Sequence, residues 1–582
     1  MRITIDPVTR LSSGLRVSVE LEDGAVTGAS ASGMSYRGLE RMLVGRPPAD
    51  APYFTQRICG MCSSPHATAS AGAVESAAGA MGLIPKDALV IRNLLNGLGW
   101  MKNHVEHLYL GFLPDLADPS YGDALNSSGL GNLLWKELKK RYAAASGQAC
   151  GEALLCIKAI GRAEGILGGR SPCSPAIVPG GVTARPARGD IDALDLCLAD
   201  VDSFLQKRLV GELSLDEWLQ NTHDQDTGFA YDYVQELPMG DLSSSVGWGD
   251  LPLFLMFGSR MFARDVMTLP AYIGLDTMGG YPIDDQLIGF LSYGSFYNVR
   301  DDSGQFRDGY TAVEDDKANA FEMPAGFTPG SMTNIYRDAD KVDTSLIVEH
   351  VHASFYDYGD SMAAKTPLDG ETSVTDKASA IGFDGTKYSF VKAPRYGRVP
   401  CEVGPLARHI NAREKLVIDA MRRLFAHNTT VVSYPMASVY TRTIARMQET
   451  LLLSRMLHAW LRDLEVSDDG RRYSVPVSVK ANRTGSGLIE APRGALGHWL
   501  KAGKDQMISN YQVVAPTTWN ASPVCTEQKS GPIELALMGS HTTPSGYLPG
   551  SEANPVGIYH IIRSFDPCTT CAVHTIQRGG RG

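Results

Sequence analysis

From Asp87 onward, apolar residues return every three or four positions, through Ile91, Leu94, Leu98, Met101, Val105, Leu108 and Phe112. That is the period of an α-helix with one buried face, and its persistence predicts a core helix over 86–115. Similar periodicity predicts helices near 130–145, 150–168, 188–220, 405–426 and 436–465, with glycine- and proline-rich punctuation at 168–189 and 322–331. The start of the chain has a different rhythm. Residues 14–30 alternate apolar and polar through Val17, Val19, Leu21 and Val26, and Asp23-Gly24 supplies a hairpin turn. With the strand-like run Met1 to Asp6, this predicts an N-terminal β layer over 1–35. Between 225 and 400 long periodic runs are few, and glycine, aspartate and aromatics predict irregular and β structure laid on the helices. The expected class is α+β, a long-helix bundle core with mixed β regions around it. Neither a linker-like segment nor an internal repeat divides the chain, so 1–582 is expected to form one domain.

Composition narrows the function more than the fold. The chain is 43% hydrophobic and 20% charged, enough apolar content for a large core, and its net charge of −10 argues against nucleic acid as a partner. No apolar run reaches the ~18 residues of a membrane span, and the N-terminus opens on strand-like residues rather than a signal peptide. Ten cysteines in 582 residues are not a disulfide framework. Six of them, Cys150, Cys156, Cys173, Cys197, Cys401 and Cys525, form no CxxC pair, which argues against an iron-sulfur cluster inside this chain.

The other four cysteines carry the chemistry. Near the N-terminus stands Arg57-Ile58-Cys59-Gly60-Met61-Cys62, followed by His66 and Ser70. Near the other end stands Asp566-Pro567-Cys568-Thr569-Thr570-Cys571, followed by His574. Each CxxC presents two soft sulfur ligands to one metal. A zinc ribbon places its two pairs about 15–20 residues apart, whereas these lie at opposite ends of the chain. If they meet, they close the first and last segments of the fold around one site. Taken alone, the cysteines also allow structural zinc, redox-active disulfides or unrelated buried thiols.

Their flanks decide between these readings. Arg57-x-Cys59-Gly60-x-Cys62-x-x-x-His66 and Asp566-Pro567-Cys568-x-x-Cys571-x-x-His574 resemble the two signature motifs of the nickel-iron hydrogenase large subunit. Six further blocks match in order: Asp6 to Arg10, Arg37 to Glu40, Lys392 to Tyr396, Glu402 to Arg408, Glu490 to Trp499 and Pro516 to Asn520. The resemblance implies a fold of hydrogenase large-subunit type and an H2:acceptor oxidoreductase that oxidises H2. Cys59 and Cys568 would bind nickel terminally. Cys62 and Cys571 would bridge it to an iron carrying carbon monoxide and cyanide. Arg493 would lie over the open metal position, held by Asp566 through a charge-assisted hydrogen bond. With a pKa above ~12 it is a poor proton acceptor, so Cys568 is the expected base. His66 would hydrogen-bond a bridging sulfur, and Glu40 with His574 would bind magnesium. His104 and His107 match a family pattern on the long helix.

The resemblance also implies partners. These are H2, a small subunit holding the iron-sulfur clusters, an endopeptidase that cuts after His574 to remove 575–582, and a membrane cytochrome reached through the small subunit. The implied location is the membrane or periplasm by co-export with the small subunit, or the cytoplasm. Two other functions compete. An H2-sensing subunit of the same family is argued against mildly by the tail, and a nickel-free quinone-reductase subunit by the presence of all four cysteines.

Three positions depart from the pattern. Leu11-Ser12-Ser13-Gly14 stands where the family has Ile-Glu-Gly-His, Lys102-Asn103-His104 where it has His-Asp-His, and Cys173 where His is common. Metal ligation is expected to survive, but the usual first proton carrier is missing. The hydroxyls of Ser12 and Ser13 both donate and accept, so they are expected to relay a proton without storing it.

Overall fold

The computed structural model describes residues 1–12, 14–23, 25–125, 129–225, 228–237, 248–258, 275–282, 288–300, 303–314, 321–330, 338–358, 363–374, 386–427, 433–434, 437–464, 472–538 and 554–573. Its centre is a bundle of long helices, Lys86–Glu106, Gln148–Gly168, Arg188–Leu205 and Val439–Asp463, packed on one another. The first is the core helix expected over 86–115. Its regular part ends at Glu106, and the chain continues as a wide π-helical turn, His107–Phe112, then a tight 3-10 turn, Leu113–Ala117. Where it crosses Val439–Asp463, Phe296 sits between Trp100 and Trp460, with ring centroids 4.7 and 4.6 Å away.

The other expected helices form with breaks that a period alone does not show. The 188–220 pattern divides into Arg188–Leu205, a π turn Gln206–Val210 and Leu215–Leu219, the last capped by Ser214. The 405–426 pattern divides into Pro405–Asn411 and Lys415–His427. The β layer is an antiparallel sheet of Arg2–Ile5, Leu15–Glu22 and Ala25–Gly33, turned at Asp23 in the left-handed region (φ 49°), while Gly24 lies outside the described residues. The 225–400 region holds the strands Gly289–Tyr297 and Phe321–Pro329, paired antiparallel, together with two unexpected short helices, Phe229–Glu236 and Asp250–Gly258. No described helix is long and apolar enough to cross a membrane.

Two elements that the apolar pattern did not mark position the chemistry. Ser63–Ala78 is a helix of small residues, buried on nearly every side, that begins immediately after Cys62. It lies directly on the strand Thr484–Ala491, so closely that a Cβ at Gly487 would stand 1.8 Å from the Ala69 carbonyl oxygen and one at Gly485 2.2 Å from that of Ala73. That strand pairs with Gly494–Ala502, which pairs with Ile508–Val514. The register Ala491↔Gly494 leaves Pro492-Arg493 as a two-residue turn. Gly494, at φ 130°, lets the hairpin tip sit against Gly404 and Val403, where a Cβ would meet backbone at 2.5 Å.

Candidate metal centre

The two ends of the chain meet. Ser12 forms an isolated parallel bridge with Cys568. Arg563, on the helix Val556–Ser564 that leads to the second CxxC, donates to both carboxylate oxygens of Asp115 (2.6 Å each) and to the Thr9 carbonyl (3.0 Å). The meeting joins the four cysteines. Cys59 Sγ is 3.4 Å from Cys568 Sγ although the residues are 509 apart in sequence, Cys62 Sγ is 3.1 Å from Cys571 Sγ, and Cys568 and Cys571 are separated by 2.9 Å. All four are free thiols, each at most 5% exposed, and their sulfurs lie within 4.8 Å of one another.

This spacing tests the metal reading directly. A disulfide needs sulfurs about 2.05 Å apart, which none of these pairs approaches. Thiolates at about 2.3 Å from a shared ion stand roughly 3.8 Å apart, within the span observed. The cluster therefore fits a centre held by all four sulfurs. Packed so closely, the thiols do not share charge equally. Hydrogen bonds from Cys568, Cys571 and Cys62 hold Cys59 well below the usual thiol range, while burial and its sulfur neighbours push Cys571 well above it.

Arg493 is carried to the centre by the hairpin tip. Its Nε donates to the Asp566 carbonyl at 2.8 Å and stands 3.1 Å from Asp566 Oδ1. The Asn103 amide, oriented with its oxygen towards the guanidinium, accepts from Arg493 Nη2 at 2.7 Å and donates to Asp566 Oδ2 at 3.0 Å. Asp566 and the cysteine sulfurs offset the burial of Arg493 and fix it as a cation. The tip itself is held from below by Arg408, which pairs with Glu449 and Glu490 and donates to the carbonyls of Ala491 and Pro492, both at 3.0 Å. Arg408, the Glu490 to Arg493 run and Asp566, from three of the matched blocks, thus converge on one place.

The remaining expected residues fall into separate groups. His66 Nδ1 is 3.0 Å from His498 Nε2, His498 Nδ1 is 2.8 Å from Tyr511 OH, and Tyr511 donates to Ser70 Oγ at 2.8 Å. This buried chain starts one helical turn from Cys62. Glu40 accepts from the Val513 amide (2.8 Å) and from Thr372. It belongs to a buried oxygen-rich cluster in which Lys392 donates to Gln512 at 2.6 Å and Glu349 is pushed up to about 7 by burial. His574, Ser13 and the tail 575–582 lie outside the described residues. His104 Nε2 is 2.7 Å from Glu449 Oε2 and His107 Nε2 donates to the Arg563 carbonyl at 2.6 Å, so both lie on the long helix as buried hydrogen-bonded groups. Cys173 Sγ is 3.5 Å from the Gln56 carbonyl, in the loop after Gly168. The Ser12 hydroxyl donates to Met61 Sδ at 2.7 Å.

Some residues with roles here were not singled out from the sequence. Arg37 donates to the carbonyls of Ile58 and Thr570, the second at 2.9 Å, and so ties both CxxC segments together. Thr517 Oγ1 accepts from the Cys568 amide at 2.8 Å, and Thr570 Oγ1 lies 3.1 Å from Cys568 Sγ. The blocks holding Arg37 and Thr517 were visible, but no spacing rule connects either residue to a cysteine hundreds of positions away.

Comparison with known proteins agrees with this geometry. Residues 37–119 and 285–574 match the family described as nickel-dependent hydrogenase. The chain is 28% identical to the periplasmic [NiFeSe] hydrogenase large subunit of Desulfomicrobium baculatum, over 99% of this chain and 95% of that protein. It is 29% identical to the uptake hydrogenase large subunit of Rhodobacter capsulatus, over 100% of this chain and 96% of that protein. Among solved structures, a reduced, active form of the Ni-Fe-Se hydrogenase from Desulfomicrobium baculatum has a TM-score of 0.72 at 26% identity, covering 98% of this chain and 100% of that one.

Proposed function

Because the chain belongs to the nickel-dependent hydrogenase family, we propose that Cys59, Cys62, Cys568 and Cys571 hold a nickel-iron centre at which H2 is oxidised, with electrons passing to a separate small subunit. The observation that carries this reading is the set of four free, buried sulfurs within 4.8 Å of one another, drawn from opposite ends of the chain. When bound, the metals supply a soft, electron-rich site that polarises dihydrogen for heterolytic cleavage. Cys59 and Cys568 would hold nickel, and Cys62 and Cys571, 3.1 Å apart, would hold nickel together with an iron that carries carbon monoxide and cyanide. All four positions are cysteine, so the donors that the protein offers at this cluster are sulfurs.

Arg493 then works as a fixed positive charge beside this anionic group, oriented by Asp566 and Asn103, and it does not itself give up a proton. Cys568 Sγ, with the Thr570 hydroxyl 3.1 Å away, is the first proton acceptor. His66, whose Nδ1 pairs with His498, hydrogen-bonds a bridging sulfur and tunes it. Glu40, inside its oxygen-rich cluster, holds magnesium together with His574. The naming of the relatives as large subunits supports a partner that carries the iron-sulfur clusters. An endopeptidase completes maturation by cutting after His574, and a membrane cytochrome takes the electrons from the small subunit. The test is metal content and H2-dependent dye reduction of the complex for wild type and for Cys59→Ser, Cys62→Ser, Cys568→Ser and Cys571→Ser. Nickel and iron should be present in wild type and turnover lost in each variant. A fully active variant, or zinc in place of nickel, overturns the assignment.

A further inference from the structure

One side of the long helix is left open beside the centre, and it carries a carboxylate that the site does not use. Lys102, Glu106 and Leu110 recur every four residues and are each partly buried, whereas Asn103, His104, Val105, His107, Leu108 and Tyr109 between them are buried. Asn103 touches both Arg493 and Asp566, so the stripe starts beside the charged group over the metals. Its far side leads outwards. Lys102 Nζ donates to Glu164 Oε2 and to Ser171 Oγ, both at 3.1 Å, and Ser171 donates to Glu164. Ser171 lies in the loop with Gly169, Arg170 and Pro172, all exposed.

Glu106 makes no hydrogen bond or ion pair with any described residue. Burial is the largest influence on its carboxyl and raises it above the usual carboxylate range. Lys102 and Arg493 pull against that rise, and Asp566 and Glu164 add to it. A glutamate so placed holds a proton more readily than an exposed one. By contrast, the hydroxyl of Ser12 is committed to Met61 Sδ at 2.7 Å, and an alcohol cannot store a proton near neutral pH.

We propose that Glu106 is the proton store of this chain: a proton released beside Arg493 crosses to the Glu106 carboxylate through water and passes through water again to Glu164, which the Lys102 ammonium holds in place, and to Ser171 at the surface loop. The proposal rests on the hydrogenase reading of the centre. One proton moves at each step, the carboxylate becoming a carboxyl and then returning to its charged form, while the electrons depart separately through the partner subunit. Glu106 thus supplies, three residues further along the helix, an acid that Asn103 lacks.

The experiment compares wild-type complex with Glu106→Gln, Glu106→Asp and Glu164→Gln, each checked for nickel and iron content. Glu106→Gln should lower dye-coupled H2 oxidation about tenfold or more while lowering para/ortho-H2 conversion at the centre much less, because conversion rejoins the same two hydrogens and does not require the proton to leave. Glu106→Asp should restore most of the turnover, and Glu164→Gln should give an intermediate loss. Infrared difference spectra should show a carboxyl C=O band, shifted in D2O, that disappears in Glu106→Gln. An active wild type with an equally active Glu106→Gln, or with a carboxyl band that survives the substitution, overturns the relay alone. A wild-type complex without H2-dependent turnover overturns the functional reading and the relay with it.

Discussion

The two cysteine pairs are held in opposite ways. Cys59 and Cys62 run straight into the helix Ser63–Ala78, which is seated backbone against backbone on the strand Thr484–Ala491. Cys568 and Cys571 sit in a short terminal arm, Val556–Ser564 followed by Thr569–Val573, whose place is set by side chains from elsewhere: Arg37, Thr517, Asp115 and Arg446. The first pair is thus built into a rigid layer, while the second is docked. A centre of this design can form only once the arm has closed, so its stability should lie chiefly in the arm's contacts and in the metal.

Metal loading should expose that asymmetry most strongly. Any group that binds only the closed state stabilises it by mass action. In hydrogen exchange, loading nickel and iron should slow exchange across 556–573 by about a hundredfold or more and change 63–78 far less. Equal protection of both segments in the metal-free chain would show that the arm is as firmly built as the helix.

Next in size is Arg37. It donates to carbonyls on both sides of the junction, and hydrogen bonds from a charged group contribute about 1.5–3 kcal/mol each. Arg37→Met should therefore reduce nickel retention at least about tenfold and speed exchange in the arm, whereas Arg37→Lys keeps the charge but loses the two-pronged reach and should fall between. Nickel retention at the wild-type level in Arg37→Met would separate docking of the arm from this clamp.

Acid should loosen the arm before the layer. His560, in the arm's helix, has Nδ1 paired with Tyr121 OH at 2.5 Å and Nε2 buried without a partner among the described residues. Burial lowers it to about 4 from an ordinary value near 6.5. The folded state thus binds fewer protons than the unfolded state between these values. Stability is complete above pH ~6.5 and falls as pH drops towards ~4, by up to about 1.4 kcal/mol per pH unit from this group. Protection factors in 556–573, taken relative to the intrinsic amide exchange rate at each pH from 7 to 4, should fall accordingly, and His560→Gln should flatten the slope. An unchanged slope in that variant would assign the acid sensitivity to other groups.

The same contrast explains what could be read from the chain. The long helix 86–106 was legible because one face repeats at the helical period, and the β layer because Val17, Val19 and Leu21 alternate. Ser63–Ala78 was not, because its residues are mostly small and no large apolar side chain recurs to mark a face. The four cysteines and Arg493 were legible through their flanking motifs. Arg37 and Thr517 were invisible as clamps because they bind backbone atoms, and backbone carbonyls and amides leave no mark in a sequence. Glu106 was hidden for another reason: its meaning depends on which of its neighbours are buried.

Thr517 gives the smallest and most local break. Its hydroxyl accepts from the Cys568 amide at 2.8 Å, in a place where Thr517 is 2% exposed and Cys568 0%. Thr517→Val keeps the shape of the side chain but leaves a buried N–H without a partner, which costs about 1–3 kcal/mol. Because the loss is confined to one donor, it should not unseat the arm. The expected result is faster exchange at the Cys568 amide and neighbouring positions of the second CxxC, with nickel retention lowered less than in Arg37→Met and no change in 63–78. Thr517→Ser, which retains the acceptor, should restore protection at Cys568. If Thr517→Val instead disturbs both cysteine pairs alike, the two halves of the centre are coupled more tightly than their separate supports imply.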